Sequence, residues 1–206
     1  MRGRVLHRHH AGRVHQDGVV DDDDLDRARD QLAAEQGFID ERGGSRWIET
    51  YIKPYCRKWM GLGAATRAEV PTLIPQVRER AFELRSEDIS AMVRMQWRIQ
   101  VMGTWFAVAR ADKRFMDPVH DGFDACYGTL TAPALATAVL TYPNETTSRV
   151  LRAYRDRDNA RRYGASGIIT AALRHLDPEG TEPGDPRDDE ALEGLLDVAR
   201  QLQRRA

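Results

Sequence analysis

A chain of 206 residues is long enough to bury one sizeable core and too short for two full domains once its polar stretches are set aside. Its 31 Lys and Arg against 32 Asp and Glu leave a formal charge of -1, so no global field draws it to nucleic acid or to anionic lipid. Only two cysteines, Cys56 and Cys126, are present, too few for a disulfide framework or a paired-thiolate metal site. No apolar run approaches the roughly 20 residues of a membrane span, and none follows the basic N-terminus as a signal peptide would require, so a reducing cytoplasm is the expected location.

Residues 1–44 hold four of the six histidines (His7, His9, His10 and His15) and the run Asp21 to Asp24, with few large apolar residues before Phe38 and Ile39. Such a stretch does not bury enough apolar surface to offset its ordering entropy, which predicts a disordered tail. Imidazoles ligate zinc, nickel and copper, and this gives HRHHAGRVH an alternative as a metal tract. A short amphipathic helix about Leu25 to Gln36 would place Asp26, Arg27, Asp30 and Glu35 in water. Gly37, Gly43 and Gly44 mark the boundary of a single helical domain over 45–206.

From Ser45, Trp47, Tyr51 and Tyr55 recur at helical spacing with Ile48, Ile52 and Trp59 beside them, and Pro54 is expected to kink or break this helix at Lys53. A second helix is expected over about 72–84, with Pro75 in its first turn. Ser86, followed by Glu87 and Asp88, reads as an N-cap opening a helix through Ile89, Met92 and Val93. Trp97 to Ala111 is apolar nearly all round, the texture of a helix flanked on two sides. That texture returns at Ala132 to Tyr142 and at Tyr163 to Leu176.

Amphipathic helices are expected between these, over Arg114 to Cys126 and over Asn144 to Arg155, with Asn144 as an N-cap. The proline-, glycine- and charge-rich 177–190 reads as a mobile loop. Residues 191–206 read as a capping helix striped with Leu192, Leu195, Leu196, Val198, Ala199 and Leu202. Outer and inner helices thus alternate at about 30 to 36 residues, somewhat shorter than a HEAT unit. The expected fold is all-α, stacked antiparallel helix pairs in a HEAT-like α-solenoid, with Ala134, Ala136, Ala138, Gly167, Ala171 and Ala172 allowing close helix approach.

Three stretches, WRIQVMGTW (Trp97 to Trp105), ACY (Ala125 to Tyr127) and AALRHL (Ala171 to Leu176), resemble an actinobacterial family known only as domain of unknown function 6000, over about residues 45–178. After Cys-Tyr this chain has GTLTAPA where the family pattern is rich in glycine with a glutamine. The resemblance implies a helical fold and a bacterial cytoplasmic setting, and no activity.

The chemistry-bearing residues are few. Asp117, His120, Asp121 and Asp124 recur at spacings of three and four, so one helix face could present three carboxylates and an imidazole to a divalent metal or an acid-base reaction. Against this, Pro118 fits a first helical position with Asp117 as the N-cap, and the chain offers no matching ligand pair on a second helix. Cys126 reads as a buried structural cysteine, because a nucleophilic role would need His120 to reach it around the helix. Trp97, Trp105, Tyr127 and Tyr142 read as core rather than as a pocket for a flat ligand.

The remaining cluster is Arg152, Arg155, Arg157, Arg161 and Arg162, interleaved with Asp156 and Asp158. It reads as a solvated helix end whose aspartates cancel much of the field, and, where functional, as an edge for an acidic protein partner rather than a phosphate backbone. No complete catalytic constellation is present and no cofactor is required. The expected function is therefore a non-enzymatic interaction protein, immunity-like or regulatory. The alternative is a metal-binding protein or enzyme using Asp117, His120, Asp121 and Asp124.

Overall fold

Of Trp97 to Ala111, which the apolar pattern assigns to an interior helix, the run Ile99 to Ala109 is buried, while Trp97, Arg98 and Ala111 are exposed. The structure, a computed structural model, describes residues 22–59, 70–180 and 182–204. Its described residues form eleven α-helices, joined by turns and two short 3-10 segments, and no strand. The chain divides after Gly43 into two units. In the first, α1 spans Asp22–Asp40, so much of the expected disordered tail is helical, well beyond the short amphipathic segment anticipated there. The His-rich tract lies outside the described residues.

The second unit opens with α2 (Ser45–Tyr51) and α3 (Lys53–Trp59), separated at Ile52, where Pro54 predicts the interruption. α4 runs over Val70–Glu83 and continues through Pro75 instead of starting there. Pro75 faces solvent while Leu73, Ile74 and Val77 are buried, so the missing N–H falls on the outer side. α5 (Ser86–Arg94) begins one residue earlier than a Ser86 cap would allow, and the Arg85 guanidinium grips Asp88 through two bonds of 3.0 Å.

α6 (Trp97–Arg110) is the hub, touching α3, α4, α5, α8 and α11. Its Trp105 ring stands edge-on to Trp59 at 5.0 Å between centroids, and its indole N–H donates to the Trp59 carbonyl. Gly103 brings α5 and α6 close: a Cβ there would stand 2.5 Å from Met92 Cβ and 2.8 Å from the Val93 nitrogen. Gln100, fully buried, donates through Nε2 to the carbonyls of Val93 (3.0 Å) and Gly122 (2.7 Å), satisfying helix-end groups on two neighbours.

α7 (Met116–Gly122) is short, α8 (Ala132–Thr141) is buried along nearly its whole length, and α9 spans Thr147–Arg161. α10 (Ser166–Leu176) follows it. α11 (Pro186–Gln203) takes in the latter part of the expected loop, its start capped by the Asp185 side chain. Consecutive α5 and α6, and α9 and α10, pack as pairs. α11 touches α4, α6, α8 and α10, more neighbours than the end cap of a nearest-neighbour array would have. Arg78 of α4 seals that closure by donating to the carbonyls of Gln201 and Leu202.

Candidate functional site

α7 ends at Gly122, so the helix that was to present four ligands carries only three of them. Asp117 is exposed in the first turn, where its charge suits the helix dipole, but the cap position is Phe115. His120 is half-buried. Its Nδ1 lies 3.3 Å from Thr146 Oγ1, and its Nε2 is buried without a hydrogen-bond partner among the described residues. Burial lowers its pKa, against the opposing pull of Asp117 and Asp121. Asp121 pairs with Arg94 at 2.8 Å, and Asp124, beyond the helix and 89% exposed, lies 3.6 Å from Arg157. Two of the three carboxylates therefore face guanidinium groups. Among the described residues no group of three or more His, Cys, Asp or Glu is placed to hold a metal ion.

Cys126 is fully buried, as expected of a structural cysteine. Its Sγ lies 3.0 Å from Thr131 Oγ1 and donates to the Tyr154 hydroxyl at 3.3 Å, and burial pushes the thiol up to about 11. A thiol so held is inert at neutral pH, and His120 is not among its partners. Tyr154 also accepts from the Gly128 N–H at 3.0 Å and points its own hydroxyl at Asp158.

The arginine cluster differs most from its sequence picture. α9 runs unbroken to Arg161 and takes in residues expected to form a helix end and loop. Thr147, Leu151, Tyr154 and Asp158 are its buried residues. Asn144, the expected N-cap, instead accepts from the Thr146 N–H in a turn ahead of the helix. Asp158 is only 1% exposed, and its Oδ2 accepts the N–H groups of Ala165 and Ser166 at the start of α10.

One of the two aspartates expected to neutralise the arginines is thus turned inward. Asp156 stays outside, 3.8 Å from Arg155. Arg157 donates to the Phe123 carbonyl and lies over the Tyr154 ring. Arg152, Arg161 and Arg162 are exposed, and Arg152 and Arg162 meet no carboxylate among the described residues. Spacings of three and four along Thr147, Leu151, Tyr154 and Asp158 are the signal that would have revealed the inner face.

Sequence reasoning also missed a cluster beside this helix. Trp105 is core, but Tyr127 is exposed and its ring stands edge-on to Tyr163, 5.4 Å between centroids, with Leu130 exposed on the same short turn. Trp97 is exposed too, its backbone at φ 51 and the Arg98 guanidinium 4.0 Å from its ring. A shallow groove runs along α5, lined by Ser86, Ser90, Ala91, Arg94 and Met95 with Arg114 across from them. Arg94 there is already engaged by Asp121. Comparison with family models, with curated proteins and with solved structures found no match to this chain. No helix among the described residues is long and apolar enough to cross a membrane.

Proposed function

We propose that this is a non-enzymatic helical interaction protein whose α9 edge, bearing Arg152, Arg155, Arg157, Arg161 and Arg162, holds an acidic protein partner in the cytoplasm. The observation that carries this is the inward turn of Asp158, which leaves the outer face of α9 with more positive than negative charge. The packed pairs α5–α6 and α9–α10 are HEAT-like in their pairing, although α11 closes the unit more fully than the end cap of an open array would. The resemblance to domain of unknown function 6000 fits an actinobacterial setting, in which an immunity-like or regulatory role suits a small binding module. The inert Cys126 and the carboxylates taken up by arginines support binding over catalysis.

The test is co-purification from native cells with the full chain as bait. One protein in stoichiometric yield is expected, released as salt rises above about 0.5 M, where screening shortens to a few ångströms. It should be lost with Arg152→Glu/Arg162→Glu at unchanged thermal melting. A partnerless wild type, or a partner indifferent to charge reversal, overturns the proposal.

A further inference from the structure

Two loops beside α9 are locked together, and they display two large apolar side chains to solvent. Tyr127 and Leu130 are 47% and 44% exposed on the turn after Cys126, and Tyr163 packs its ring against Tyr127 from the loop after α9. Gly128, at φ 75, lets the backbones meet, since a Cβ there would stand 2.6 Å from the Tyr163 carbonyl oxygen. From beneath, the Tyr154 hydroxyl holds the Gly128 N–H, and Asp158 holds the N–H groups of Ala165 and Ser166. The patch is therefore fixed before any partner arrives, and little loop entropy is lost on binding. Tyrosines beside arginine are the composition of interface hot spots.

We infer that Tyr127, Leu130 and Tyr163, bordered by Arg162, form the anchor of the partner surface and receive an acidic polypeptide segment carrying one aromatic or long aliphatic side chain. This rests on the interaction reading above and adds to it the apolar contact that fixes register. Charge complementarity selects the occupant: Arg162 is exposed immediately before Tyr163, and Arg161 immediately before that. Single-stranded nucleic acid is the less favoured ligand, because stacking platforms offer open ring faces. Here the two tyrosines stand edge to face at 88°.

The test is selection of a random twelve-residue peptide phage library on the full chain, with the selected peptides then titrated by fluorescence anisotropy. Acidic peptides sharing one aromatic or aliphatic position are expected. Tyr127→Ser/Leu130→Ser, and separately the single exposed change Leu130→Glu, should each weaken them at least tenfold, and Arg162→Glu should weaken them severalfold. Three outcomes overturn the inference: no peptide selected, peptides indifferent to both the double and the Leu130 variants, or a labelled oligouridylate bound more tightly than any peptide. If peptides depend on Arg152 and Arg162 but not on Leu130, the anchor fails while the arginine edge stands.

Discussion

At the scale of single residues, the molecule is most distinctive where side chains occupy unexpected conformations or surroundings. Trp97 opens α6 in the left-handed region at φ 51, which costs a non-glycine residue about 1–2 kcal/mol. Trp97→Gly and Trp97→Ala both delete the exposed ring, so they isolate the backbone. The glycine variant is expected to be more stable by about 1 kcal/mol in urea titration, and equal stabilities would remove the strain from the account.

Cys126 makes a pH prediction. Below pH 9 the thiol is protonated in folded and unfolded chains alike, and between about 9 and 11 only the unfolded chain ionises. A folded pKa raised in this way gives stability that falls as pH rises through the window, by up to about 3 kcal/mol, and levels off above it. Cys126→Ala lacks that component, so its stability measured by chemical denaturation should fall less steeply over this range. Parallel slopes for the two proteins would sink the assignment.

Helices supply the next scale, and their crossings are set by small residues. Gly103→Ala would normally help a helix, yet its Cβ would overlap Met92 and the Val93 backbone. A loss of about 2 kcal/mol is expected, read as a lowered urea midpoint. Gly194 in α11 has nothing within 4 Å of its Cβ position, so Gly194→Ala should gain about 1 kcal/mol in the same experiment. If both changes moved the midpoint in one direction, contact would not be deciding the sign.

Which helices were legible from sequence follows a physical pattern. α6 and α8 stand out because burial on several sides demands apolar residues all round, and the α2–α3 break stands out because proline acts locally. Helix ends were harder to place, since many are satisfied from elsewhere in the chain. Gln100 serves α5 and α7, Arg110 donates to the carbonyls of Ala81 and Leu84 at the end of α4, and Asp158 caps α10. Local capping rules cannot find partners that tertiary packing delivers. For the same reason the arginine helix looked neutral, since alternating charge says nothing of which aspartate faces inward, and Asp124 was placed on a helix that stops two residues before it.

At the scale of the helical unit from Gly44 onward, α11 decides how cooperative the fold is. An open array loses a terminal helix with modest effect, because each repeat leans only on its neighbours. Here α11 covers α4, α6, α8 and α10 and buries Leu192, Leu195, Leu196, Ala199 and Leu202. Removing residues 186–206 is expected to abolish the cooperative thermal transition and the near-ultraviolet circular dichroism of the buried Trp59 and Trp105. A truncated chain that still melted sharply would argue for array-like independence.

The bonds from Arg78 to Gln201 and Leu202 join residues 123 and 124 positions apart. During synthesis, then, α4, α6 and α8 wait with apolar flanks uncovered until α11, more than a hundred residues after α4, has left the ribosome. Slow translation of the codons between α8 and the end of α11 should raise the fraction of protein that aggregates or engages chaperones, and pauses before α4 should matter far less.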